Sequence, residues 1–78
     1  MKVTALRNIL NAQPFQPFVV KTTDGDTFRV NHPDFAMISP LNTEVIFYDK
    51  DGHFHIVAMT HIVSLEPVRE PAKKIGKR

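Results

Sequence analysis

Two histidines, His53 and His55, stand two positions apart in a segment whose alternating pattern predicts a β-strand. Side chains two apart on a strand project from the same face, so these two imidazoles could share a metal ion, with His32 or His61 completing the site. A metal site normally also needs a further ligand held by supporting hydrogen bonds, and His53 lies in a predicted exposed turn. We therefore predict no metal and no cofactor, with both histidines at the surface.

Catalysis by a nucleophile would need Ser39 or Ser64 beside a histidine oriented by a carboxylate, and neither serine lies in a strained, glycine-flanked turn. The chain has no Cys, which excludes thiolate catalysis and cysteine-ligated metals, and its three glycines are too isolated to form a phosphate-binding loop. Four acidic residues flank two predicted hairpin turns, where Asp is favoured for local backbone hydrogen bonding: Asp24, Asp26, Asp49 and Asp51. We therefore predict that the protein is not an enzyme.

The segment His32-Pro33-Asp34-Phe35 is the most unusual local feature of the sequence. Two interpretations are open. The segment presents His32 and Phe35 to a partner as a recognition corner, or Asp34 caps a turn while Phe35 fills the core. We favour the second interpretation, because buried aromatic side chains dominate the energetics of small cores.

The charges of the chain are unevenly distributed along its 78 residues. Residues 1–67 hold five basic and seven acidic side chains, a net charge of −2, whereas residues 68–78 hold five basic and one acidic, a net charge of +4. The second range predicts a flexible basic tail that attracts phosphate groups or an acidic partner, or that only keeps the protein in solution. The candidate contact residues in this tail are Lys73, Lys74, Lys77 and Arg78.

Short secondary-structure elements must position these residues. Apolar residues at helical spacing predict an amphipathic helix over 3–11, which must dock on its own sheet or on a neighbouring subunit because it is too short to be stable alone. Alternation with period two begins at Phe18, and Asp24-Gly25 predicts the tight turn of a hairpin. Further strands are predicted over 44–49, 53–59 and 62–65, while residues 36–39 form either a short strand or a buried loop.

This order of elements predicts one mainly β domain over residues 1–67 with a single N-terminal helix. Five or six short antiparallel strands joined by tight turns are best accommodated by a small SH3-like or Sm-like barrel, because closure limits the exposed strand edges. An open meander with the helix on one face is the alternative.

Four motifs together resemble a family of short, uncharacterised bacterial proteins. They are Pro14-Phe15-Gln16-Pro17-Phe18, Asp24-Gly25, His32-Pro33-Asp34-Phe35 and the closing segment 62–67. The likeness covers residues 6–67 and implies a family rather than an activity.

The order of a helix, a bent sheet and a final strand entered through His-x-x-Ser is also similar to the bacterial Sm-like RNA chaperone Hfq. That resemblance implies uridine binding around a ring, with Phe35 stacking on a base and His61 hydrogen-bonding to base or phosphate. Thr60 stands where the Hfq pattern has a Lys and Asp34 where it has a Gln, and both changes disfavour RNA at such a site.

A non-catalytic binding module is the function that the sequence favours. A core this small is marginal alone, so we expect a homo-oligomer, or docking of a protein partner, through strand edges and the N-terminal helix. RNA binding by an Sm-like ring is the alternative. No apolar run approaches the roughly 18 residues of a membrane-spanning helix, and residues 1–8 lack a signal-peptide pattern, so we expect a cytoplasmic protein without membrane contact.

Overall fold

The computed structural model describes residues 2–68, which form one α-helix, six β-strands and two 3₁₀ turns. The elements in chain order are α1 (Val3–Leu10), β1 (Phe18–Thr22), β2 (Thr27–Val30), β3 (Ala36–Ile38), β4 (Glu44–Tyr48), β5 (Phe54–Ala58) and β6 (Ile62–Pro67). The 3₁₀ turns, Pro33–Phe35 and Met59–His61, separate β2 from β3 and β5 from β6. The prediction of a mainly β fold with one N-terminal helix is confirmed. Apart from Val68, the predicted basic tail lies outside the described residues.

The strands pair antiparallel in two three-stranded sheets. In the first sheet β1 lies between β2 and β6, and in the second sheet β4 lies between β3 and β5. Residues 36–38 are therefore a paired strand rather than a loop. Both predicted hairpin turns have a glycine in the left-handed region, Gly25 at φ 86° and Gly52 at φ 87°, where a side chain would strain the backbone.

The two sheets do not close into the predicted SH3-like or Sm-like barrel. Within residues 2–68, no strand pair joins the first sheet to the second. The chain passes between the sheets twice, each time through a 3₁₀ turn instead of a continuous bent strand. Pro33 explains the first passage, because proline cannot donate to a strand ladder, and β2 ends after only four residues, before it could bend across both sheets.

One apolar core joins the helix to both sheets. Leu6 of α1, Phe18 and Val20 of β1, and Val45 and Phe47 of β4 are at most 1% exposed. Burying each such side chain stabilises the fold by about 1.5–3 kcal/mol. The other large apolar residues of α1 pack against the same core, so the helix docks on its own sheets: Val3, Ile9 and Leu10. The described part of the chain holds no helix with the length and hydrophobicity that crossing a bilayer requires.

Candidate functional site

An apolar surface covers the outer face of the second sheet. Met37 of β3 pairs with Ile46 of β4, Ile46 pairs with Ile56 of β5, and Tyr48 pairs with Phe54 on the same side. Met37, Phe54 and Ile56 are 54%, 61% and 63% exposed. Ile46 and Tyr48 are partly exposed. We call these five residues the second-sheet face.

The pairing partners on β4 determine which side of β5 faces outward. The buried Val45 and Phe47 pair with Val57 and His55. Since side chains alternate along a strand, the residues on either side of His55 point away from the core. The sequence did not reveal this surface, because apolar residues lie on both sides of β5. It could have been found by counting, since β4 and β5 hold more apolar residues than one buried face requires.

The second-sheet face is large for so small a chain. Each of its three most exposed side chains offers on the order of 100 Å² to solvent, which amounts to about 300 Å² from these alone. Single exposed apolar residues are ordinary, whereas the largest contiguous apolar patch of a protein is often functional. None of the five residues is charged, and the acidic Glu44, paired with Ala58, bounds the face at one end.

At the other end of this face, polar side chains gather around Asp49 in the β4–β5 turn. Oδ1 of Asp49 accepts hydrogen bonds from the backbone N–H groups of Asp51 and His53, at 2.9 and 3.0 Å. Oδ2 of Asp49 lies 3.3 Å from Nε2 of His55 and 3.7 Å from Nδ1 of His53. One carboxylate oxygen therefore fixes the turn, while the other contacts both of the histidines that the sequence placed on one face.

These contacts set the pKa of Asp49. Partial burial raises the pKa of this carboxyl, but the hydrogen bond from His55, the backbone N–H groups of His53 and Asp51 and the nearby charge of His53 together outweigh it. The pKa of Asp49 therefore lies below its usual value of 3.8. The turn is built around an ionised carboxylate.

The same turn holds the side chains that could bind a metal ion. Ligand atoms of Asp49, Asp51 and His53 lie within 4.8 Å of one another. Of the four histidines considered as ligands from the sequence, only His53 belongs to this group; His32, His55 and His61 do not. His53 is 77% exposed and Asp49 already bonds the backbone, so we assign these contacts to the stability of the turn.

Replacing Asp49 with Ala should lower the melting temperature at pH 7 by a few degrees, because two backbone N–H groups lose their acceptor. A carboxyl whose pKa is depressed by folding stabilises the fold above its unfolded pKa, and this contribution is lost as the pH falls through the folded pKa. The difference between wild type and variant should therefore shrink from pH 7 to about pH 2. Circular dichroism melts measure it.

Asp24→Ala, in the turn between β1 and β2, controls for loss of one carboxylate from a hairpin turn. An equal difference between wild type and Asp49→Ala at both pH values would contradict the role assigned to the carboxylate.

The structure places His32 beside Phe35, with ring centroids 6.1 Å apart. Nδ1 of His32 accepts a hydrogen bond from the backbone N–H of Asp34 at 3.2 Å, so His32, rather than Asp34, caps the 3₁₀ turn. Its extended backbone before Pro33, φ −152°, fits the position of an N-cap. Phe35 is partly buried and packs against the core without belonging to its fully buried cluster.

His61 lies at the opposite end of the first sheet from His32. Its carbonyl oxygen accepts a hydrogen bond from the N–H of Thr23, just past the end of β1, at 2.8 Å. His32 instead follows Val30, which pairs with Phe18 at the start of β1. The five residues of β1 span about 13 Å, so His61 does not share a site with His32. The basic candidates lie outside the described residues: Lys73, Lys74, Lys77 and Arg78.

Two open grooves, of 390 and 250 Å³, lie between β2 and β5. Phe28 and His55 line both grooves, with ring centroids 5.1 Å apart, and Phe28 also stacks on Phe47 at 5.3 Å. Neither groove is lined by a Ser beside a histidine. The aromatic rings therefore lie at the seam where the two sheets remain separate.

No protein-family model matches the chain, and no curated protein or solved structure matches it with significant similarity. The likeness of its motifs to short bacterial proteins and to Hfq stays a prediction.

Proposed function

We propose that the protein is a non-catalytic binding module that docks on a protein surface through the second-sheet face. The observation that carries this proposal is the exposure of Met37, Phe54 and Ile56, each more than half accessible on one continuous side of a sheet. Aromatic residues and Met are enriched in the centres of protein interfaces, and charged residues are depleted there. The face has this composition, with Glu44 at its border.

Two other surfaces expected from the sequence are weaker candidates for docking. The apolar residues of α1 already pack on the core, which leaves the helix its polar side. The edge strands are β2 and β6 in the first sheet and β3 and β5 in the second, and only β5 and β6 are longer than four residues. Short edge strands offer few groups for pairing with another chain. The second-sheet face, in contrast, brings three exposed large apolar side chains together.

RNA binding, the alternative function, is favoured by one observation, the net charge of +4 in residues 68–78. The residues that the Hfq resemblance would use, Phe35 and His61, lie at different ends of the described fold. We therefore favour protein docking, and a test of that function must also reveal dependence on RNA.

The proposal is tested by placing a photo-crosslinking phenylalanine analogue at position 54 of the full chain, in cells that express the chain naturally. Phe54 lies in the second-sheet face, and Val63, an apolar residue of the first sheet that is 59% exposed, is the matched control position. We expect a protein adduct from position 54 that persists after ribonuclease treatment, and at most a trace from position 63. Absence of a protein adduct from position 54, equal yields from both positions, or loss on ribonuclease treatment would refute the proposal.

A further inference from the structure

We propose that the occupant of the second-sheet face is a second copy of this chain, packed face to face about a two-fold axis that runs along the row Met37, Ile46 and Ile56. This inference rests on the proposed function and names the partner. The two facing sheets form a four-layered dimer in which each strand of the second sheet lies over the same strand of the other copy, running in the opposite direction.

The rows of the face are complementary to each other in size. The ladder has three outward rows: Tyr48 with Phe54, then Ile46 with Ile56, then Glu44 with Ala58. An axis along the middle row sets the aromatic row of one copy over the row of Glu44 and Ala58 of the other. The large Phe54 ring then faces the small Ala58 side chain, and the isoleucines of the two copies meet at the centre.

The rows are also complementary in polarity. The axis sets the Tyr48 hydroxyl, a hydrogen-bond donor, over the Glu44 carboxylate, an acceptor, at both ends of the interface. Both side chains are half-buried in the single chain. The Glu44 carboxylate, the only charged group on these rows, therefore meets the Tyr48 hydroxyl of the other copy. The interface then buries no charge that lacks a hydrogen-bond partner.

An axis parallel to the strands gives a worse fit. It would set Glu44 over Glu44, and opposed like charges are destabilising. It would also place Phe54 over the β3 side of the other copy. The row of Phe54 lies beyond the end of the three-residue β3, so no strand residue would face the ring there. The antiparallel arrangement avoids both problems, which is why we assign the axis to the middle row.

The area of the face indicates the strength of this dimer. The five side chains expose about 400 Å² per copy, so their burial and that of a polar rim removes roughly 1,000 Å² from water, near the lower limit for a specific interface. Interfaces at this small end are typical of weak or transient association, so dimerisation is sought in the micromolar range. The second-sheet face is flat, so a second flat face is sufficient to cover it.

Sedimentation equilibrium of the full chain from about 1 to about 500 µM tests the partner. We expect a monomer–dimer equilibrium that Ile56→Lys weakens at least about 100-fold, because a two-fold axis places each substituted residue in the interface twice. Val63→Lys, at a similarly exposed apolar residue of the first sheet, should dimerise like the wild type. Circular dichroism verifies that both variants are folded.

A wild-type chain that stays monomeric over this range, or equal dimerisation of the two Lys variants, would overturn the inference. If the wild type is monomeric and position 54 crosslinks to a protein of another mass, the proposed function survives and its partner is not a second copy. If position 54 yields no adduct at all, both are refuted.

Cysteine crosslinking tests the axis, since the chain has no Cys of its own. A mixture of Glu44→Cys and Tyr48→Cys chains should form disulfide-linked dimers in higher yield than either variant alone. Higher yield from Glu44→Cys alone would show that the strands of the two copies run parallel and would overturn the axis.

Discussion

Replacing Phe47 with Ala should lower the free energy of unfolding by about 3–5 kcal/mol, a large share of the roughly 5–15 kcal/mol that stabilises a typical domain. Phe47 is 1% exposed in β4, and its ring stacks on Phe28 of the other sheet with centroids 5.3 Å apart. Removal of the ring leaves a cavity where the two sheets meet, and strands held in their ladders can close it only in part. Urea denaturation measures the loss.

The matched control is Phe54→Ala, which removes the same ring from the outer side of the neighbouring strand, where Phe54 is 61% exposed. At protein concentrations low enough to keep the chain monomeric, this substitution should cost less than about 1 kcal/mol. Similar losses at positions 47 and 54 would mean that both sides of the second sheet are covered, which contradicts the exposed second-sheet face.

Replacing Leu6 with Ala should lower the free energy of unfolding by about 2–5 kcal/mol and release α1 from the core. Leu6 is the buried residue of this eight-residue helix, and it is 0% exposed. A helix of this length is marginal in water without packing, so weaker docking also weakens the helix itself. Amide hydrogen exchange in α1 should accelerate more than exchange in β1 and β4.

Arg7→Ala is the control for this substitution. Arg7 follows Leu6 directly but is exposed, and it donates a hydrogen bond to the side chain of Asn42 at 3.0 Å. Loss of an exposed polar contact should cost less than about 1 kcal/mol. Protection of the α1 amides that is unchanged in Leu6→Ala would show that the helix is held by other contacts.

Local signals in the sequence were sufficient to predict most of the elements. The helix, the β1–β2 hairpin and the strand β4 depend on residues adjacent in the chain, such as the Asp24-Gly25 turn with Gly25 at φ 86°. The predicted strand over 53–59 shortens to Phe54–Ala58 because Met59 begins a 3₁₀ turn, and its N–H donates instead to Thr43 at 2.8 Å. Such boundaries depend on distant partners.

Barrel closure and the outward side of β5 could not be predicted for the same reason. Closure would require the edge strands of one sheet to pair with those of the other, and the hydrophobic pattern of each strand does not specify whether they do. On β5, Phe54 and Ile56 alternate with His55 and Val57, so hydrophobicity alone does not assign either side to the core. The register against the buried Phe47 of β4 makes that assignment.

The histidines show how far residue spacing leads. The spacing of His53 and His55 correctly indicates that they are close in space, since both contact Oδ2 of Asp49. It does not indicate the carboxylate between them, because Asp49 reaches both only when the glycine turn reverses the chain. A site built across a turn needs the turn geometry as well as the residue pattern.

The end of β6 lies beside the linker that precedes β1. Phe18 pairs with Pro67, and the N–H of Val68 donates to the carbonyl oxygen of Pro17 at 3.0 Å. These residues belong to the first sheet, which is separated from the second-sheet face by the core. Position 68 therefore lies on the layer of the domain opposite the second-sheet face. A fluorophore or surface anchor attached through a cysteine introduced at this position leaves the second-sheet face open, which makes it a preferred point for immobilising the protein.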